Sequence, residues 1–120
     1  MRALVVLLGL LLATSPAANG HEQLNLQVSP QQSFAPSTIV IRIRITRSHE
    51  NRALIIAADS GEYYRSSVVP LEGADAPAIV TLAYRDLPGG DYRVHCTLVD
   101  GAGRERAAAQ TDLSVISPAS

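Results

Sequence analysis

The chain has 120 residues, ten basic against eleven acidic side chains, and a single cysteine, Cys96. That length suits one domain with one core. The lone cysteine excludes an intramolecular disulfide, and the missing basic excess argues against a nucleic-acid partner. Every basic residue is Arg and none is Lys, which we read as the mark of a GC-rich bacterial genome.

Residues 1–20 have the three parts of a secretory signal peptide. Arg2 supplies the positive charge, Leu4 to Ala13 an apolar core, and Thr14 to Gly20 a polar stretch of small residues. Small side chains one and three positions before a cut are found for cleavage after Ala17 and equally after Gly20; the second leaves His21 at the mature N-terminus. The apolar core is shorter than the ~20 residues a bilayer span needs, and no later stretch reaches that length. With no cysteine beside either cut to carry a lipid, residues 21–120 are expected as a soluble, monomeric, exported domain, periplasmic or secreted.

The mature region alternates apolar and polar residues almost throughout, which is the strand signal. Leu24, Leu26 and Val28 form a first strand that Pro30 ends. Thr38 to Thr46 (TIVIRIRIT) puts Ile39, Ile41, Ile43 and Ile45 on one face and Val40, Arg42, Arg44 and Thr46 on the other. Ser48 to Asn51 is a loop, Ala53 to Ala58 a strand, and Asp59-Ser60-Gly61 a turn. Arg65 to Leu71 is a strand that Pro70 confines to an edge. After a polar loop, Ala78 to Tyr84 is a strand, and Leu87-Pro88-Gly89-Gly90 a corner. Asp91 to Asp100 turns Tyr92, Val94, Cys96 and Leu98 inward. Asp100-Gly101-Ala102-Gly103 is a hairpin connection, and a last strand covers Arg106 to Ile116. The sum is an all-β chain: a single antiparallel immunoglobulin-like β-sandwich of about seven strands.

The run Leu87-Pro88-Gly89-Gly90-Asp91-Tyr92-Arg93-Val94, followed by Asp100-Gly101-Ala102-Gly103, resembles the corner, penultimate strand and final turn of fibronectin type III and bacterial immunoglobulin-like domains. The resemblance implies a tyrosine corner, with Tyr92 turning its hydroxyl back onto the corner backbone. Tyr64-Arg65-Ser66-Ser67 also resembles a core shared by an uncharacterised family of exported bacterial proteins, which implies no activity.

The familiar catalytic signatures are missing: no G-x-S-x-G, H-E-x-x-H, phosphate-binding loop or C-x-x-C occurs. Cys96 shares the inward parity of its strand and reads as a core residue. No enzyme is expected. Tyr63-Tyr64-Arg65 joins residue types enriched at binding hot spots; the plainer alternative makes one Tyr a core residue and the other a turn cover. Arg42, Arg44 and Arg93 read as solvated sheet face, the first two also breaking an isoleucine ladder that would invite aggregation. If cleavage leaves His21 first, its free amine and imidazole form a chelating pair suited to copper. In a sandwich the first strand, the Ser48–Asn51 loop and the final turn meet at one end, which would gather His21, His49 and Asp100, an arrangement similar to small periplasmic copper-binding sandwiches. Otherwise His21 and His49 are ordinary tail and loop residues.

The leading expectation is therefore a non-enzymatic module, free of cofactor, that binds another protein or a surface. The alternatives are a periplasmic copper-binding protein using His21, or a small domain that docks by strand addition at the Pro70 edge.

Overall fold

In the computed structural model, which describes residues 24–118, the isoleucine run is strand β3 (Ser37–Ile45). Ile39, Ile41, Ile43 and Ile45 are buried, while Val40, Arg42 and Arg44 are exposed. The leader expected over residues 1–20, both cut sites and His21 lie outside the described residues. Because successive side chains on a strand point to opposite faces, β3 can bury every isoleucine only by lying between a core and water. It pairs antiparallel with β1 (Leu24–Ser29) on one side and β6 (Ile79–Leu87) on the other. The remaining strands, β2 (Gln32–Phe34), β4 (Ala53–Asp59), β5 (Tyr64–Pro70), β7 (Gly90–Val99) and β8 (Glu105–Ile116), form a second sheet of order β2-β8-β7-β4-β5. Apart from a 3₁₀ turn at Gly73–Asp75, the described residues carry no helix. The two sheets pack face to face as a β-sandwich.

The interior joins Ile39, Ile41 and Ile43 of β3 and Tyr84 of β6 to Leu54 and Ile56 of β4 and to Val94, Cys96 and Leu98 of β7. Each large apolar side chain buried there contributes roughly 1.5–3 kcal/mol. The inward parity expected of Tyr92, Val94, Cys96 and Leu98 holds, with all four at most 1% exposed.

Among the described residues eight strands stand where about seven were expected, and the added one is β2. After β1, Pro30 lacks the N–H needed to continue the ladder, so the chain leaves the three-stranded sheet. It crosses to the other sheet and runs parallel to β8, with Gln32 opposite Ser114 and Phe34 opposite Ile116. Cis peptide bonds at Ser29–Pro30 and Ala35–Pro36 bracket the segment. The hydroxyls of Ser33 and Ser37 lie 2.6 Å apart across the return.

The corner before β7 forms as the fibronectin-like run implied. Tyr92 donates its hydroxyl hydrogen to the Pro88 carbonyl at 2.7 Å. Gly89 sits so close to the chain end that a Cβ there would fall 1.9 Å from the Ser117 hydroxyl. A Tyr92→Phe exchange keeps the ring and deletes that bond; it should lower the unfolding free energy measured in urea by about 1 kcal/mol.

Open sheet edges invite pairing with other chains. At β5 the edge is blunted in two ways: Pro70 closes the strand, and Arg65 points a charge inward. At the other end of the same sheet, β2 is only three residues long.

Candidate functional site

The Tyr63-Tyr64-Arg65 run is divided by the start of β5. A tight turn precedes it: Gly61, at φ 89°, donates its N–H to Asp59 Oδ1 at 2.8 Å. The Ser60 hydroxyl accepts the Tyr63 N–H at 3.0 Å. Tyr63 is half-buried and meets Tyr92 edge-on, with ring centroids 6.3 Å apart. Arg65 lies on the inner face, its guanidinium 4.8 Å from the centre of the Tyr84 ring while donating to the Arg85 carbonyl at 3.1 Å. Tyr64 points the other way and is 61% exposed. Only Tyr64 of the three is therefore presented to a partner from the strand's outer face.

Strand register shows what surrounds it. On the outer face of the five-stranded sheet, Tyr64 stands opposite Asp59, and Val68 opposite Ile55. Asp59 is next to Arg93, and Ile55 to Thr97. Val68 is 67% exposed and Ile55 40%, so two adjacent strands present three large apolar side chains to water. Beyond them the face becomes charged. Arg93 Nε is 3.3 Å from Asp112 Oδ1, with both side chains mostly in solvent, a pair worth about 0–1 kcal/mol. The surface is thus an apolar strip along the β5 edge beside a polar field on β7 and β8.

At the opposite end of the strands lie His49 and Asp100. β1 begins at Leu24 opposite Ile45, so the chain enters the sandwich at the same end as the loop holding His49. Asp100 is occupied by its own turn. Its Oδ1 accepts the N–H groups of Ala102 and Arg104, each at 2.9 Å, and Oδ2 is 3.5 Å from Arg104 Nε. The Arg104 backbone N–H above all, with the Ala102 N–H and the Arg104 charge, holds this carboxyl below the usual range. His49 is exposed. Among the described residues no three His, Cys, Asp or Glu side chains converge as metal ligands would. Next to this loop, buried Asn51 donates to the Thr46 carbonyl at 3.1 Å and accepts from Arg106. Arg106 also pairs with Glu50 at 3.1 Å. These bonds anchor the loop; they leave no open chemistry.

Cys96 is fully buried, and desolvation pushes its thiol up to about 12. A nucleophilic or metal-binding cysteine needs the opposite shift. His95, its neighbour in sequence, points to the outer face between Ala57 and Gln110. The two cannot act on one atom.

The apolar strip of Ile55 and Val68 was not singled out from the sequence. Each alternates correctly within its own strand, and only the pairing of β4 with β5 places them side by side.

No family model and no curated protein matches the chain. Solved structures do. Superoxide reductase (neelaredoxin) from Ignicoccus hospitalis superposes with a TM-score of 0.56 at 13% identity, covering 78% of this chain and 80% of that one. A fibronectin(III)-like module of CbhA from Clostridium thermocellum gives 0.56 at 11% identity, covering 81% and 100%. The PKD domain of a peptidase from a Thermoplasmatales archaeon gives 0.57 at 12%, covering 78% and 93%. At such identities the likeness is one of fold. The chain is an immunoglobulin-like β-sandwich of the coarse class to which fibronectin-like and PKD domains belong, and folds of this kind host many unrelated functions.

Proposed function

We propose that this chain is an exported, non-enzymatic β-sandwich module that binds another protein through the outer face of β4 and β5. The observation that supports the reading is the exposure of Tyr64, Val68 and Ile55 together. Single apolar residues on a surface need no explanation, whereas Val68 beside Ile55, with Tyr64 two rows along the same face and a polar rim next to them, has the composition of an interface. Tyr64 supplies the large, few-rotor side chain from which binding hot spots are made. Burial of Cys96 and its separation from His95 and His49 fit a role without covalent chemistry. The signal-peptide pattern of residues 1–20 supports export to the periplasm or the medium.

The test is crosslinking in cells that export the full chain, with a photoreactive side chain placed at Ser66, between Tyr64 and Val68 on the same face. A discrete crosslinked partner is expected. Tyr64→Ser combined with Val68→Asp should cut its yield at least tenfold while leaving thermal unfolding near that of the parent. A partner retained at full yield by the double variant overturns this face as the interface.

A second reading, a periplasmic copper-binding protein using His21, has one observation in its favour: β1 starts at the end of the sandwich where His49 lies. The intact mass of the exported chain decides whether it survives. A mature form beginning at His21 that binds one copper, and loses it when a single residue is added ahead of His21, would replace the protein-binding account.

A further inference from the structure

The outer face of the three-stranded sheet carries charge of one sign. Register places Asn25, Arg44 and Ile79 in one row across β1, β3 and β6, and Gln27, Arg42 and Thr81 in the next. Arg85 follows farther along β6, also exposed. Of the eleven acidic residues in the chain, none lies on β1 or β3. The only one on β6 is Asp86, near the strand's end and at φ 60°. A face that merely keeps a protein soluble mixes both signs. The ion pairs of the described residues all lie elsewhere, on Arg93, Arg104 and Arg106, so among those residues Arg42 and Arg44 have no acidic partner. Two residues apart on one strand face, their Cα atoms are about 7 Å apart. With Asn25, Gln27 and Ile79 they border a shallow trough of about 390 Å³, inside the range of roughly 300–1,000 Å³ typical of small-ligand sites.

We infer that this trough binds an acidic polysaccharide, with Arg42 and Arg44 taking carboxylate or sulfate groups on neighbouring sugars and Asn25 and Gln27 the hydroxyls between them. Guanidinium groups match oxyanions with two parallel hydrogen bonds. Side-chain amides carry both donors and acceptors, as a sugar hydroxyl requires. The other polyanions fit less well. A protein partner wants an aromatic anchor, and all four tyrosines and Phe34 lie elsewhere: Tyr84 and Tyr92 are in the core, Tyr63 packs on Tyr92, and Tyr64 and Phe34 belong to the other sheet. A nucleic acid wants stacking rings and a basic excess, and this chain has a formal net charge of −1. The inference is independent of the protein interface proposed above, which lies on the opposite sheet.

The experiment is affinity electrophoresis of the full exported chain in gels containing alginate, dextran sulfate, neutral dextran or duplex DNA. Retardation by alginate or dextran sulfate is expected, weakening as salt is added, with none by neutral dextran. Arg42→Gln combined with Arg44→Gln should weaken it by at least about tenfold. Arg93→Gln, on the other sheet and removing the same charge, should leave it nearly unchanged. All three positions are exposed, and a thermal melt confirms that the variants fold. The proposal is overturned if neither acidic polymer retards the parent chain, if the double variant is retarded as strongly as the parent, or if DNA binds as tightly as the acidic polysaccharides.

Discussion

Tyr84→Ala should cost about 3–5 kcal/mol of unfolding free energy, the range for removing a large buried ring, and in a domain with a total near 5–15 kcal/mol that is enough to populate the unfolded state. Three losses coincide at this residue. The ring is 2% exposed and fills the sandwich between β6 and β4. Its hydroxyl donates to Ser67 Oγ at 3.0 Å and lies 3.4 Å from the Ile56 carbonyl oxygen, tying β6 to edge strand β5 and its neighbour β4 in the other sheet. The ring also faces the Arg65 guanidinium at 4.8 Å, and that contact goes with it. Tyr84→Phe separates these terms: it keeps the packing and the ring face, and should cost only about 1 kcal/mol. Urea titrations of the two variants measure the difference. If alanine costs no more than phenylalanine, the ring is not what joins the sheets.

The second large effect is alkaline. Desolvation pushes the Cys96 thiol up to about 12, and raises Tyr84 and Tyr92 above their ordinary value. Each group holds its proton more tightly folded than unfolded. Its contribution to stability is thus fully present below the unfolded pKa, near 9 for the thiol and 10 for the tyrosines, and is lost as pH rises through the folded value. Stability should be level from pH 7 to about 9 and then fall. Cys96 alone adds up to one proton's worth of slope between its unfolded and folded values, on the order of a few kcal/mol in all. The two tyrosines steepen the fall above pH 10. Cys96→Val removes the earliest part, so its curve of unfolding free energy against pH should stay flat for about one unit longer. The native thiol should also resist alkylation at pH 8 and react at once in urea.

Much of the architecture was legible because charge and size alternate so strictly. Arginines interleaved with isoleucines over Ile39–Ile45 leave no face but one for the core, and the Pro-Gly-Gly corner before Tyr92 announces both a strand start and the bond to Pro88. Residues 32–34 gave no such signal. Three residues between two prolines have no period, and their partner is a strand more than eighty positions away. The interaction surfaces were illegible for a related reason. Tyr63, Tyr64 and Arg65 are consecutive, so once a strand begins at Tyr64 they cannot share a face. Val68 meets Ile55, and Asn25 meets Arg44, only through register, which no single segment contains. A patch on a sheet is a property of rows that run across strands, while sequence motifs run along them.

The parallel pairing of Gln32–Phe34 with Ser114–Ile116 also governs the order in which the molecule can be completed. A chain delivered from its N-terminus presents β2 long before β8 exists, and β7 stays an open edge until the same late strand arrives. Closing so long a loop costs entropy before any contact repays it, and folds dominated by such distant pairings form in milliseconds to seconds. The twelve residues of β8 therefore act as a clasp. Until β8 is in place, β2 has no partner strand and β7 keeps an unpaired edge, so the five-stranded sheet is completed only by its most distant pairing.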